Sequence, residues 1–131
     1  LPGRSDAEPG AREVMNASPS SIVSFCGKTT LGQLGALYSM CRLLISNDTG
    51  PLHIGAGVGI NVVGLFGPTQ PLETAPLGRG RNLLIQYAHE GVKLPWIGTH
   101  FPAPWMELIT VDQVMRVIEQ EALLSEVKIS L

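Results

Sequence analysis

The stretch that decides the fold is Leu43–Phe66, LLISNDTGPLHIGAGVGINVVGLF. It begins with an apolar run, Leu43–Ser46, without alternation, which is typical of a strand covered on both faces in a parallel sheet. Asn47–Pro51 then breaks the strand, and a short helix rich in small residues follows. The next apolar run, Val62–Phe66, predicts a second buried strand. The pattern therefore predicts a strand, a turn, a helix and a strand of a parallel α/β sheet.

The turn before the helix holds the residues of chemical interest. We expect Asp48 or Thr49 to cap the helix through a side-chain oxygen, since Pro51 suits the first helical turn. Gly50 leaves the backbone uncovered. Free amides and the positive end of a helix dipole meet here, which favours an anion such as a diphosphate. The residues alone fit an ordinary strand-to-helix connection equally well, with His53 in a structural role.

The sequence before this stretch predicts two helices and a strand. The first helix is expected over Gly10–Asn16, and the strand over Ser21–Cys26. Thr29 or Thr30 caps a helix that runs to about Met40. The apolar residues of this helix recur at helical spacing and are expected to face the core: Leu31, Leu34, Leu37 and Tyr38.

The sequence after this stretch predicts a loop, a strand and a last helix. The loop is Gly67–Pro71, and the strand is Leu83–Tyr87. Thr110 or Asp112 is expected to cap the last helix. The helix has a buried stripe of Val114, Val117 and Ile118 and a solvent face of Glu119, Glu121 and Glu126.

The composition of the 131-residue chain indicates one compact domain. A hydrophobic content of 44% and a charged content of 15% exclude a disordered or fibrous class. The net charge of −2 and the lack of a basic run give no electrostatic basis for nucleic-acid binding. No run approaches the roughly twenty apolar residues of a membrane span, and nothing resembles a signal peptide.

The cysteines and histidines suggest no metal chemistry. Cys26 and Cys41 lie in or beside predicted buried elements, where a free cysteine behaves as a small hydrophobic residue, and a reducing compartment fits. His53, His89 and His100 are too scattered in the sequence to argue for a metal site. We therefore expect no metal and no cofactor.

Three short segments resemble the C-terminal domain of the family-nine glycosyltransferases, the ADP-heptose:lipopolysaccharide heptosyltransferase group. They are GKTTL at Gly27–Leu31, SNDTGPLHIGA at Ser46–Ala56 and LFGPT at Leu65–Thr69. The family pattern is a Gly-Lys-Thr/Ser-x-Leu turn, an Asp-Thr-Gly-x-x-His turn and a Phe/Tyr-Gly-Pro-Thr turn at similar spacing. The resemblance extends from about Leu1 to Val114. It implies a Rossmann-like parallel sheet, with residues 1–131 forming a single, truncated nucleotide-sugar-binding domain of a GT-B glycosyltransferase.

The resemblance also implies a set of residues that bind the nucleotide-sugar donor. This set comprises Lys28, Thr29, Asp48, Thr49, Gly50, His53, Gly67, Pro68 and Thr69. Thr49, Gly50 and His53 would lie at the phosphates, while the loop that contains Gly67 would line the donor cleft. Asp48 is expected to have a structural role around the turn, since a carboxylate beside a diphosphate is repulsive.

The remaining residues of the implied site belong to the first part of the chain. Thr29 would approach the base or ribose of the nucleotide, while Lys28 also fits a solvated loop lysine. An acidic side chain would lie near the ribose, for which Asp6 and Glu8 are the candidates. Both also fit ordinary surface carboxylates, because acidic side chains are mostly exposed.

The function implied is heptosyl or other glycosyl transfer in lipopolysaccharide core biosynthesis, with ADP-heptose as the donor. The location would be cytoplasmic, with the full enzyme peripherally associated with the inner face of the inner membrane. A missing N-terminal domain would bind the acceptor and supply the catalytic carboxylate, so this chain alone is expected to be inactive. Two alternatives stay open: a domain like that of a sugar-nucleotide epimerase, and a non-catalytic α/β nucleotide-binding module.

The resemblance also has a consequence for the sheet. The family's domain has strand order 3-2-1-4-5-6, and this chain starts at or after the end of the second strand. The missing strand would leave an open edge at Leu43–Ser46, and unpaired backbone groups on an edge invite another chain. We expect self-association through this edge, or a rearrangement in which Ser21–Cys26 pairs directly with Leu43–Ser46.

Overall fold

The computed structural model describes residues 5–67, 69–86 and 106–121. Its helices are α1 (Glu8–Ala17), α2 (Leu31–Ser39), α3 (Gly50–Val58), α4 (Pro71–Thr74) and α5 (Val111–Gln120). Its strands are β1 (Leu43–Asn47), β2 (Asn61–Phe66) and β3 (Asn82–Gln86). A 3-10 turn over Ser5–Ala7 leads into α1. The chain divides into two compact units, Leu1–Leu37 and Tyr38–Leu131.

The first unit confirms the predicted short helix but not the predicted strand. The segment Ser21–Cys26 is irregular, and the sheet does not include it within the described residues. An extended segment forms a ladder only beside another strand, and this backbone finds a local partner instead. The amide of Cys26 donates to the hydroxyl of Ser24 at 3.3 Å. The chain then turns at Gly27, whose φ of 66° favours glycine.

α2 begins at the predicted threonine cap. The hydroxyl of Thr30 accepts from the Gln33 amide at 3.3 Å, and the Gln33 side chain accepts from the Thr30 amide at 2.9 Å, a capping box. Leu34 and Tyr38 are buried as predicted. The prediction for Leu31 is wrong, since this residue is 76% exposed. Leu31 is the first residue of α2, and burial begins only one turn later.

The second unit contains a parallel sheet of order β1-β2-β3, as the sequence predicts. The chain runs from β1 through α3 into β2, which lies beside β1 with Leu43 opposite Asn61. β3 lies on the other side of β2, with Val62 opposite Asn82. This strand confirms the prediction over residues 83–86, whereas Tyr87 lies outside the described residues. Parallel neighbours of this kind place all their carboxyl ends at one edge.

Helices cover both faces of this sheet. α3 packs on one face, where Leu52 and Ala56 of the helix and Val62 and Phe66 of β2 are fully buried. On the opposite face, Val63, Ile85 and Ile118 form a cluster that includes α5. Because side chains alternate along β2, residues 62 and 63 serve opposite layers. The second strand is therefore buried on both faces, as its continuous apolar sequence predicts.

β1 departs from the prediction in two ways. Ile45 is 47% exposed, so this strand is not covered on both faces. The reason is that β1 is an edge strand, and Ile45 is absent from the cluster that α5 forms with the sheet. Within the described residues β1 pairs only with β2, so the predicted direct pairing with Ser21–Cys26 is wrong. Self-association through the edge stays a prediction.

α5 confirms its predicted cap and its buried stripe. The Thr110 hydroxyl and the Gln113 side chain form a second capping box. Ile118 is 3% exposed, with Val114 and Val117 packed beside it. The solvent-face prediction holds in part for Glu121, whose side chain is 37% exposed while its carboxylate and carbonyl both accept from the Arg81 guanidinium. Glu119 is exposed, as predicted, and Glu126 lies outside the described residues.

The two cysteines differ in their environments. Both are free thiols, but Cys26 is buried whereas Cys41 is exposed, so the prediction of a buried setting holds only for the first. Within the described residues, no helix is both long and apolar enough to cross a membrane.

Candidate functional site

The candidate site lies at the carboxyl edge of the sheet, where β1 and β2 end side by side. The amide of Asp48 donates to the Leu65 carbonyl at 3.1 Å, which extends the ladder one residue past β1. Asp48 and Thr49 lead from β1 into α3, while Gly67 follows β2. Open parallel sheets bind their ligands outside this edge. The two turns that the sequence singled out are therefore neighbours in space.

The first turn of α3 has no side-chain cap. Thr49 occupies the N-cap position with an extended backbone, φ −148° and ψ 171°, but makes no side-chain capping bond. Its hydroxyl instead donates to the Asn47 carbonyl at 3.3 Å. The prediction that Asp48 or Thr49 caps this helix is wrong, because both side chains bond elsewhere.

The space beside Gly50, the first residue of α3, is open among the described residues. A Cβ atom added at Gly50, the first helical residue, would meet nothing within 4 Å. Pro51 occupies the second helical position. Amides of the first turn have no partner within the helix, so the absence of an N–H at proline costs no hydrogen bond there. The amide end of the α3 dipole is therefore uncapped by a side chain, and such an end favours an anion.

Asp48 lies behind this turn and joins three segments. Its side chain is 8% exposed. Oδ2 accepts from the Thr74 hydroxyl of α4 at 2.8 Å, and Oδ1 lies 3.6 Å from Nε2 of His53 in α3. The His53 side chain is 47% exposed. Asp48 thus has the structural setting that the sequence suggested, but it holds side chains rather than amides.

The loop after β2 is fastened to the end of β3. The carbonyl of Thr69 accepts from the Gln86 side chain at 2.8 Å, and the Thr74 hydroxyl also lies 3.2 Å from the Gln70 carbonyl. Gly67 is buried, and Thr69 is partly buried. Pro68 lies outside the described residues. The sheet edge is thus lined by segments that follow two neighbouring strands.

Four further predicted site residues belong to the first unit. The Glu8 carboxylate accepts from the Ser24 hydroxyl at 2.8 Å, and the Lys28 ammonium donates to the Ser24 carbonyl at 3.1 Å. The hydrogen bond from Ser24 and the nearby positive charges outweigh partial burial and lower the pKa of Glu8. Asp6 is exposed and Thr29 is partly buried. Glu8 and Lys28 therefore meet at one serine, with Glu8 partly buried and Lys28 exposed.

Sequence reasoning missed Thr74, Gln86 and Ser24, which position the predicted residues. Thr74 is 26 residues from Asp48 in the chain. No local periodicity relates such distant residues, so only the fold reveals the pair. Gln86 had one usable signal, since it lies next to the carboxyl end of the predicted strand Leu83–Tyr87, at the edge where sites of this architecture occur.

Within residues 5–67, 69–86 and 106–121, no group of three or more His, Cys, Asp or Glu side chains is placed to hold a metal ion. The parallel sheet, its α3 crossover and the uncapped turn at its carboxyl edge define a Rossmann-like α/β domain with a candidate anion site. The family model of glycosyltransferase family 9 (heptosyltransferase) matches residues 1–93. The chain belongs to this family.

Curated relatives carry heptosyltransferase names. Lipooligosaccharide heptosyltransferase 2 of Haemophilus influenzae is 37% identical over 96 residues, which are 70% of this chain and 28% of that protein. The lipopolysaccharide core heptosyltransferase OpsX of the same organism is 32% identical over 111 residues, 85% of this chain and 31% of that protein. The chain therefore spans less than a third of the length of these relatives.

A solved structure supports the fold. The crystal structure of a family 9 glycosyl transferase from Veillonella parvula DSM 2008 superposes with a TM-score of 0.74 at 28% identity. It covers 95% of this chain, which corresponds to 36% of that protein. The chain is thus similar to part of a larger glycosyl transferase with a GT-B-like fold.

Proposed function

We propose that this chain is the donor-binding part of a glycosyltransferase of lipopolysaccharide core biosynthesis, with ADP-heptose as the donor. The relatives with heptosyltransferase names support the reaction class. The observation that supports the donor-binding role best is the uncapped N-terminus of α3 at the carboxyl edge of the sheet, with open space beside Gly50. The proposal includes a cytoplasmic location.

In this proposal the α3 turn holds the diphosphate of the donor. The amides at Thr49 and Gly50 donate to phosphate oxygens, the Thr49 hydroxyl adds a hydrogen bond, and His53 approaches from the same helix. When the sugar is transferred, the nucleoside diphosphate departs and gains negative charge. Fixed amides and the helix dipole stabilise that charge, because they are already oriented before the reaction.

The other predicted residues surround the nucleotide and sugar in this proposal. Gly67, Pro68 and Thr69 line the donor cleft, and Lys28 and Thr29 approach the base or ribose. A ribose contact is assigned to Asp6 or Glu8. The acceptor and the catalytic carboxylate come from a further domain of the full enzyme, so we expect no glycosyl transfer by these 131 residues alone.

Calorimetric titration with ADP tests the proposal. Thr49→Ala removes a hydroxyl that would donate to a charged group, which is worth about 1.5–3 kcal/mol, so affinity should fall roughly ten- to a hundredfold. Gly50→Val fills space that is open in the free chain and should weaken ADP at least as much. Gly57→Val is the matched control, because Gly57 lies in the same helix and its Cβ would also meet nothing within 4 Å.

The expected pattern is weaker ADP binding in the first two variants and unchanged binding in the control. ADP affinity that stays at the wild-type value in both Thr49→Ala and Gly50→Val would refute the phosphate assignment. Parallel titrations with ADP-sugars and UDP-sugars, with hydrolysis and epimer formation followed separately, test the donor base and the reaction class.

A further inference from the structure

The Thr74–Asp48–His53 arrangement connects a segment outside the predicted site to the α3 turn. Thr74, the last residue of α4, donates its hydroxyl to Asp48 Oδ2 at 2.8 Å. The other carboxylate oxygen, Oδ1, lies 3.6 Å from Nε2 of His53. Each oxygen of this nearly buried carboxylate therefore has a partner, and the two partners come from different helices.

The hydroxyl of Thr74 determines how the carboxylate is turned. An aspartate side chain rotates about two bonds, and a hydrogen bond to one oxygen fixes the direction of the other. With Oδ2 held by Thr74, Oδ1 is directed at the imidazole edge that contains Nε2. A carboxylate oxygen accepts but cannot donate, so of the two neutral imidazole tautomers it favours the one that has its proton on Nε2.

The same contact governs charge at the turn. An aspartate one residue before the N-cap would repel an anion at the α3 N-terminus if its charge faced that way. Here one oxygen accepts from the Thr74 hydroxyl and the other faces the His53 imidazole at 3.6 Å, so both are directed at side chains of the protein. Hydrogen bonds to a charged acceptor are among the stronger ones, and the bond from Thr74 to Asp48 lies at a largely buried carboxylate.

We infer that Thr74 is a positioning residue for the anion site, which fixes the Asp48 carboxylate so that His53 keeps its Nε2 proton toward Asp48 and its other edge available. This inference rests on the proposed function, since it concerns the site that would hold the donor diphosphate. It adds α4 and the segment after β2 to the machinery that orients the α3 turn. Thr74 itself need not touch the donor.

A purely structural role for Thr74 makes different predictions. Its hydroxyl also lies 3.2 Å from the Gln70 carbonyl, four residues earlier, a common local contact at the end of a helical turn. If only that contact mattered, loss of the hydroxyl would lower stability and leave the His53 imidazole unchanged. The imidazole therefore provides the readout that separates the two roles.

The test compares Thr74→Val, which removes the hydroxyl, with Thr74→Ser, which keeps it. Long-range proton–nitrogen spectra of the neutral imidazole report the His53 tautomer. His53→Gln assigns the signal. Thr110→Val is the matched control, because it removes the threonine hydroxyl of the α5 capping box, which lies in a different part of the unit. Thr74→Cys, with only a weak donor, replaces the valine variant if that variant does not fold.

We expect one predominant Nε2–H tautomer in the wild type and in Thr110→Val, and a mixture in Thr74→Val. ADP affinity should fall about three- to tenfold in Thr74→Val, the equivalent of one ordinary hydrogen bond, and return in Thr74→Ser. An unchanged tautomer, unchanged ADP affinity in Thr74→Val, or failure of serine to restore either one would overturn the positioning role. Absence of ADP binding in the wild type would refute the proposed function. Normal wild-type binding with no effect of Thr74→Val would refute only the positioning role, so the two failures are distinguishable.

Discussion

The close approach of α3 to β2 at Gly64 predicts a measurable cost for one added methyl group. A Cβ atom at Gly64 would lie 2.8 Å from Phe66 Cε2 and 2.9 Å from Leu52 Cδ2. Both neighbours are fully buried, so neither can move into solvent. Leu84 Cδ2, at 3.3 Å, closes the third side. Gly64→Ala therefore inserts volume into a filled layer between the helix and the sheet.

The expected magnitude combines two opposing effects. Overpacking of a filled core costs about 1–3 kcal/mol. Replacement of glycine by alanine also restricts the unfolded chain, which returns about 0.4–1 kcal/mol. The net expectation is a loss of roughly 0.5–2 kcal/mol in the free energy of unfolding. Because Leu52 lies in the first turn of α3, its displacement should weaken ADP binding in the same variant.

Urea denaturation of Gly64→Ala and Gly57→Ala measures this difference directly. Gly57 is exposed in α3 and would meet nothing within 4 Å, so its alanine variant should gain about 0.5–1 kcal/mol from helix propensity. If Gly64→Ala unfolds at the wild-type urea concentration or above it while the Gly57 control behaves as expected, the layer between α3 and β2 is not filled at Gly64.

Two further predictions concern charged groups. The folded chain lowers the pKa of Glu8 from its ordinary value of 4.5, so ionised Glu8 stabilises the fold above that value, and the contribution disappears as the pH falls through the lowered pKa. The difference in the free energy of unfolding between the wild type and Glu8→Gln should thus be largest at neutral pH and vanish in acid. A difference that does not change with pH would contradict this. Arg81→Ala should lower the free energy of unfolding more than Glu121→Gln does. The glutamine variant loses a surface ion pair of about 0.2–1 kcal/mol, whereas the alanine variant also loses the hydrogen bond from Arg81 to the Glu121 carbonyl. Equal losses in urea denaturation would show that the carbonyl contact adds nothing.

Features that depend on a few neighbouring residues could be predicted from the sequence. The order β1, α3, β2 follows from apolar runs on either side of a small-residue turn. The start of α5 follows from a capping residue, Thr110, with Gln113 three positions later. The same local pattern succeeded at Thr30 in α2. It failed at α3, because the hydroxyl of Thr49 bonds to the Asn47 carbonyl instead of the helix amides.

Features that depend on distant partners could not be predicted. Ser21–Cys26 has the composition of a strand, but a strand needs a neighbour, and composition does not supply one. Ile45 lies in an apolar run yet is half exposed, because exposure depends on how far α5 extends over the sheet. The Thr74–Asp48 contact likewise arises only when the segment after β2 returns to the end of β1.

The most direct test of the central claim is the location of the ADP contact within the chain. Amide chemical shifts of the isotopically labelled chain would be followed during titration with ADP. We expect saturable shifts that are largest at Thr49, Gly50 and His53, with smaller ones at Gly67 and Thr69. Saturable shifts confined to other segments, with the amides of the α3 turn unmoved, would contradict the claim.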